Sequence, residues 1–130
     1  SLANEIRQIA PPNVTFICES PSFEELAHYI RKSAFVLAPY CPDSVLSSGI
    51  LMDSLSFGSK IIGPEVGSFK DYAREKRLNV YTFHNYEDIE KTVACYKTTP
   101  ISLEDYRSFL DENNWEHFGN RIIKLVKSLK

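Results

Sequence analysis

The chain has 130 residues, the length of one domain with a single sizeable core. A hydrophobic fraction of 43% and an aromatic fraction of 12% belong to a folded globular protein and exclude a disordered one. A net charge of −2 gives no electrostatic reason to expect DNA or RNA.

Apolar runs break well short of the roughly 18 residues a membrane span needs. Asn4, Glu5 and Arg7 stand where a secretory signal would carry its apolar stretch. Cys18, Cys41 and Cys95 are odd in number and form no CxxC pair, so neither zinc nor redox chemistry is signalled. Cys18 and Cys95 sit in apolar stretches and read as small core residues of a reducing compartment. His28, His84 and His117 are equally scattered. The expectation is a cytoplasmic protein without metal or cofactor.

In chain order, residues 3–10 read as the end of a helix, closed by Pro11 and Pro12. A doubly wound domain normally begins on a strand, so this start implies that one or two leading strand–helix units are absent. Residues 13–17, 34–38, 60–63 and 79–83 are near-continuous in apolar or β-branched residues, the mark of strands buried on both faces of a parallel sheet.

Helical patterns separate them. In 22–31, Ser22 and Glu25 have the spacing of a capping box, with Phe23, Leu26, Ala27 and Ile30 on one face. In 48–57, Ile50, Leu51, Ser54 and Leu55 recur at helical spacing, and Gly58 stands where a glycine ends a helix. Residues 69–76 and 86–97 complete the alternation, the latter acidic in its first turn. Residues 102–112 and 115–130 form two further helices with no strand between them. The second is amphipathic and ends in Lys124, Lys127 and Lys130, which suit a helix C-terminus better than they specify a membrane patch. The expected fold is therefore α/β: a doubly wound, Rossmann-like parallel sheet of about four strands flanked by helices, with two C-terminal helices, in one domain spanning 1–130.

In such a sheet ligands bind outside the C-terminal ends of the strands. After the second predicted strand, the polar loop 39–49 runs into a helix. Ser47, Ser48 and Gly49 at that helix start leave backbone N–H groups free and permit close approach, an arrangement that favours a phosphate. The alternative is that Ser47 or Ser48 simply caps the helix. One turn further, Asp53 has apolar neighbours, where a carboxylate needs donors such as sugar hydroxyls, unless it is an exposed helix residue. After the third strand, Gly63, Pro64 and Gly67 describe a tight loop carrying Glu65, which faces either a ligand or solvent.

These residues carry a resemblance. Residues 33–40 and 49–67, preceded by 22–29, resemble the C-terminal half of the GT-B glycosyltransferases, closest to the large "group 1" family that includes capsule and lipopolysaccharide enzymes. There an apolar strand ending in Pro is followed by a loop, a helix with an acidic residue, then a Pro-Val-Ile strand and an Asp-x-Gly loop. The likeness covers about 13–97 in order. It implies a truncated GT-B C-terminal domain, the donor-binding portion of an enzyme that moves a sugar from a nucleoside-diphosphate sugar to a glycan or lipid-linked acceptor in bacterial surface polysaccharide synthesis, without metal. The acceptor, held by a missing N-terminal domain, and peripheral membrane association of the complete enzyme belong to the same implication. No catalytic residue is assigned.

The resemblance also implies roles. Gly49 and Ile50 offer N–H groups to the donor diphosphate, and Asp53 holds the ribose. The loop 39–47, with Pro39, Tyr40 and Ser47, lines the donor sugar, Ser48 stands with Gly49 at the phosphate, and Gly63 and Gly67 close the pocket. The departures are specific. Val45 replaces the first glutamate of the family's acidic pair, with Asp43 out of register. The second member is Asp53 rather than Glu, and Leu46, Ser47 and Ser48 replace Gly-Phe-Gly. The resemblance thus leaves retention or inversion at the sugar undecided. Two other classes stand beside it: a non-catalytic α/β nucleotide-binding or signalling module, and a GT-B-like sugar-nucleotide epimerase.

Overall fold

The computed structural model describes residues 1–44 and 48–129. Three short strands, β1 (Val36–Leu37), β2 (Ile61–Pro64) and β3 (Val80–Phe83), form an open sheet in the order β1-β2-β3. Both pairings are parallel, with Val36, Ile61 and Val80 in one row and Leu37, Ile62 and Tyr81 in the next. Helices precede, connect and follow the strands: α1 (Leu2–Ile9), α2 (Phe23–Lys32), α3 (Gly49–Ser56), α4 (Gly67–Tyr72), α5 (Tyr86–Tyr96), α6 (Leu103–Glu112) and α7 (Trp115–Ser128). None is long and apolar enough to cross a membrane among the described residues.

The α/β class is as the sequence pattern predicts, but the sheet has three strands among the described residues, not four. Residues 13–17 form no strand. Val14 and Ile17 are about half exposed, at 51% and 52%, and the Val14 N–H donates to the Pro11 carbonyl in a turn. An apolar run becomes a strand only where a neighbour completes its hydrogen-bond ladder, and this one pairs with none of the described strands. The strand order also runs without a reversal, so the switch point of a doubly wound sheet is not found among them.

Local sequence explains most helix ends. Ser22 and Glu25 form the capping box that their spacing predicts: the Glu25 N–H donates to Ser22 Oγ at 3.2 Å, and the Ser22 N–H donates to Glu25 Oε2 at 2.8 Å. Hydrogen bonding from the Ser22 N–H, and then from the Ser22 side chain, holds the Glu25 carboxylate below its ordinary value. At the end of α3 the Gly58 N–H donates to the Leu55 carbonyl and the Ser59 N–H to the Ser54 carbonyl. That is a Schellman ending, and Gly58 adopts the left-handed φ of 68° that it demands.

One face of the sheet carries the core. Ala38, Ile61 and Val80 pack with Leu51 and Leu55 of α3, Phe69 of α4, and Tyr106 and Phe109 of α6. Burying each of the large side chains contributes about 1.5–3 kcal/mol. Against the other face lies α5, whose Tyr96 stacks on Tyr81 with ring centroids 4.5 Å apart. Lys60 is buried beneath it. Its ammonium donates to the carbonyls of Tyr96 (2.6 Å) and Lys97 (3.0 Å) and lies 5.4 Å from the Phe35 ring, neutralising the negative end of the α5 dipole. By contrast α7 buries none of its side chains among the described residues. Cys18 and Cys95, expected in the core, are both exposed. Cys18 follows the run that forms no strand, and Cys95 falls on the solvent side of α5.

Tyr106 ties α6 to the sheet. Its hydroxyl accepts from the Asn79 N–H at 2.7 Å and lies 3.0 Å from both the Ser59 carbonyl and Asn79 Oδ1. Burial disfavours the phenolate and pushes this hydroxyl up to about 12, against 10.0 for an ordinary tyrosine. Replacing Tyr106 by Phe leaves the Asn79 N–H without its acceptor and is expected to cost about 1–3 kcal/mol in urea unfolding. Because the folded value is the raised one, the contribution is complete below pH ~10 and is lost as the pH climbs towards ~12. The gap in stability between wild type and Y106F is therefore expected to narrow over that interval.

Candidate functional site at the C-terminal edge of the sheet

The C-terminal strand ends carry three segments: Pro39 and Tyr40 after β1, Glu65 and Val66 after β2, and His84, Asn85 and Tyr86 after β3. The loop from β1 passes a short turn at Pro42–Ser44 and enters α3. Ser47 and Val45 lie outside the described residues. Ser48 is the N-cap of α3: its side chain accepts from the Leu51 N–H at 3.3 Å, and it is itself buried. The capping reading of Ser48 is thus correct. The cap satisfies Leu51, and the Ser48 carbonyl accepts from Met52 at 3.3 Å. The N–H groups of Gly49 and Ile50, the first two of the helix, have no intrahelical partner.

Gly49 is exposed, and a Cβ built on it meets none of the described residues within 4 Å. The described residues therefore leave the Cβ side of Gly49 open. Asp53 stands four residues on, on the same helix face as Gly49. Its carboxylate is partly exposed and takes no hydrogen bond or ion pair from the described residues.

The loop after β2 is arranged differently from its sequence reading. Gly63 is a buried residue inside β2, and a Cβ there would lie 2.2 Å from the Phe69 ring. Its lack of a side chain makes room for Phe69. Gly67 is the first residue of α4 and takes a φ of 51°, which requires glycine. The Val66 N–H donates to the Pro64 carbonyl at 2.8 Å and the Glu65 N–H to the Phe83 carbonyl at 3.3 Å, which pins the loop to β3. Glu65 contacts a partner the sequence does not suggest: its carboxylate meets the imidazole Nε2 of His84.

The segment after β3 is the part that sequence reasoning missed. Asn85 caps α5 by accepting from the Asp88 N–H at 3.0 Å, and the His84 N–H donates back to the Asp88 carboxylate at 2.9 Å. The turn is thereby fixed. Together with Leu37, Pro39 and Tyr40, it walls a cavity of about 260 Å³. Its signal in the sequence was the polar triplet directly after a strand, at the same edge as the loops that did draw attention. Other depressions, between α6 and α7 and beside the C-terminal end of α3, lie away from these strand ends. Among the described residues no three His, Cys, Asp or Glu side chains gather as a metal would require.

The packing reading of Gly63 has a direct test. Gly63→Ala is expected to cost about 1–3 kcal/mol in urea unfolding, by overpacking against Phe69. Combining it with Phe69→Leu should recover part of that loss, a coupling that a surface glycine would not show.

Scanned against protein-family models, curated proteins and solved structures, the chain gives no match in any of the three.

Proposed function

We propose that the chain is the donor-binding portion of a metal-independent glycosyltransferase of the GT-B type, which holds a nucleoside-diphosphate sugar at the C-terminal edge of its sheet. The observation that carries the reading is the start of α3. A Cβ built on Gly49 meets no described residue within 4 Å, and the helix lies in the connection that leaves the C-terminal end of a parallel strand. A diphosphate set there accepts from the Gly49 and Ile50 N–H groups and sits at the positive end of the helix dipole. As the sugar departs, negative charge grows on the phosphate, and donors already in place stabilise it without reorganising.

Asp53, partly exposed and unpaired one turn along, supports a second contact: a carboxylate accepts from the two vicinal hydroxyls of a ribose. Tyr40, exposed at 40% beside Pro39, borders the same edge and suits the sugar side. Gly63 and Gly67 act in this scheme through the fold, by seating α4 and shaping the loop between them.

Titrating the labelled protein with UDP, GDP and their hexose conjugates tests the proposal by NMR. Amide shifts are expected at Ser48, Gly49, Ile50 and Asp53, with Asp53→Ala weakening the nucleotide about tenfold, the value of one charge-assisted contact. Millimolar nucleotide that leaves these amides unmoved would sink the reading.

A further inference from the structure

The last helix turns its apolar face to solvent. Trp115 is 86% exposed and Leu129 78%, with Phe118, Ile122, Leu125 and Val126 each about half exposed between them. Its direction is nevertheless fixed. The Asn114 side chain caps it by accepting from the His117 N–H at 2.9 Å, and the Arg121 guanidinium donates to the Glu112 carbonyl at 2.9 Å. A helix of 14 residues is marginal in water alone and takes its stability from packing such a face.

The spacing of these residues says what kind of surface covers them. Trp115, Phe118, Ile122, Leu125 and Leu129 follow at intervals of three, four, three and four, the period at which one helix lies along another. The two ends of this seam differ, and each fits the other. At the N-terminal end Trp115 and Phe118, edge to face at 5.7 Å, border a depression of about 340 Å³ with Asn113 and Asn114. At the C-terminal end the seam is aliphatic, and Leu129 projects. Charge runs the same way, with Glu116 in the first turn and Lys124 and Lys127 in the later ones. Antiparallel copies of α7 set the basic turns of each beside the acidic turn of the other and oppose their dipoles, whereas parallel copies set like charges together. Covering the six apolar side chains in both copies removes on the order of 1,400 Å² from water, within the range of a specific interface.

We propose that α7 pairs antiparallel with α7 of a second copy of this chain, about a two-fold axis at Ile122. Leu129 of each copy then seats in the depression that Trp115 and Phe118 border on the other. The contact is isologous: Ile122 meets its own counterpart, and the Trp115–Leu129 contact occurs twice. It uses none of the residues assigned to the nucleotide and stands apart from that reading.

Trp115 is the chain's sole tryptophan, so its emission reports the contact directly. Sedimentation velocity and Trp115 emission, followed from micromolar to millimolar chain, are expected to show a monomer–dimer equilibrium, with emission moving to shorter wavelength as the dimer forms. Ile122→Glu sets two carboxylates face to face at the axis and is expected to weaken association at least about a hundredfold. Asn120→Ala, on the opposite side of the helix, is expected to leave it unchanged. Because α7 buries no side chain among the described residues, thermal unfolding of I122E should match that of wild type diluted to monomer. In a mixture of labelled and unlabelled chain, NMR contacts are expected between the Trp115 ring of one copy and the Leu129 methyls of the other. A chain that stays monomeric at millimolar concentration overturns the proposal. So does a dimer indifferent to Ile122→Glu, or one that brings Trp115 against Trp115. Phosphatidylglycerol vesicles that shift Trp115 emission, while the chain in solution sediments only as monomer, overturn it in favour of a lipid surface.

Discussion

Phe69 is the residue on which the arrangement of this edge depends. Its ring is fully buried and occupies the space that a side chain at position 63 would fill. Only glycine in β2 allows that approach, and only that approach brings α4 down onto the sheet. Once α4 is seated, the loop between Gly63 and Gly67 has little freedom left, and it presents Glu65 towards β3. The ring also meets Tyr40, at 6.4 Å between centroids, so the same residue steadies the exit of β1. A core contact thus sets the relative positions of groups that are themselves at the surface.

The features legible in the sequence were those decided within a few residues. Ser22 with Glu25, Ser48 before α3, and Gly58 after it all act through hydrogen bonds three to five residues apart, and each ends a helix where its spacing indicates. Strands β2 and β3 were legible too, because their runs are flanked by turn signals; β2 is buried along its whole length, β3 fully only at Val80. The run at 13–17 has the same composition, yet strand formation depends on a partner elsewhere in space, and composition says nothing about that partner. Gly63 failed for a related reason. A glycine kept for a ligand and a glycine kept for a phenylalanine six residues later look identical in a sequence.

The site divides along the same line. Gly49 and Asp53 are read from one helix, and their i, i+4 spacing puts them together without any tertiary information. Glu65 and His84 come from different strand ends and meet only because β2 and β3 are adjacent in register, with Pro64 opposite Phe83. Neither residue draws attention alone. The pair, and the cavity it borders, needed the parallel register before it could be recognised.

Lys60 carries a consequence for how this molecule opens. Every other described lysine is exposed, whereas the Lys60 amine is sealed between the sheet and the last turn of α5, holding two main-chain carbonyls. An amine-selective label applied under native conditions therefore modifies the surface lysines at once and Lys60 only in molecules whose α5 has lifted. The rate of that single slow modification measures a local unfolding event. It reads the mobility of the helix whose first turn borders the cavity, from a position at the helix's opposite end.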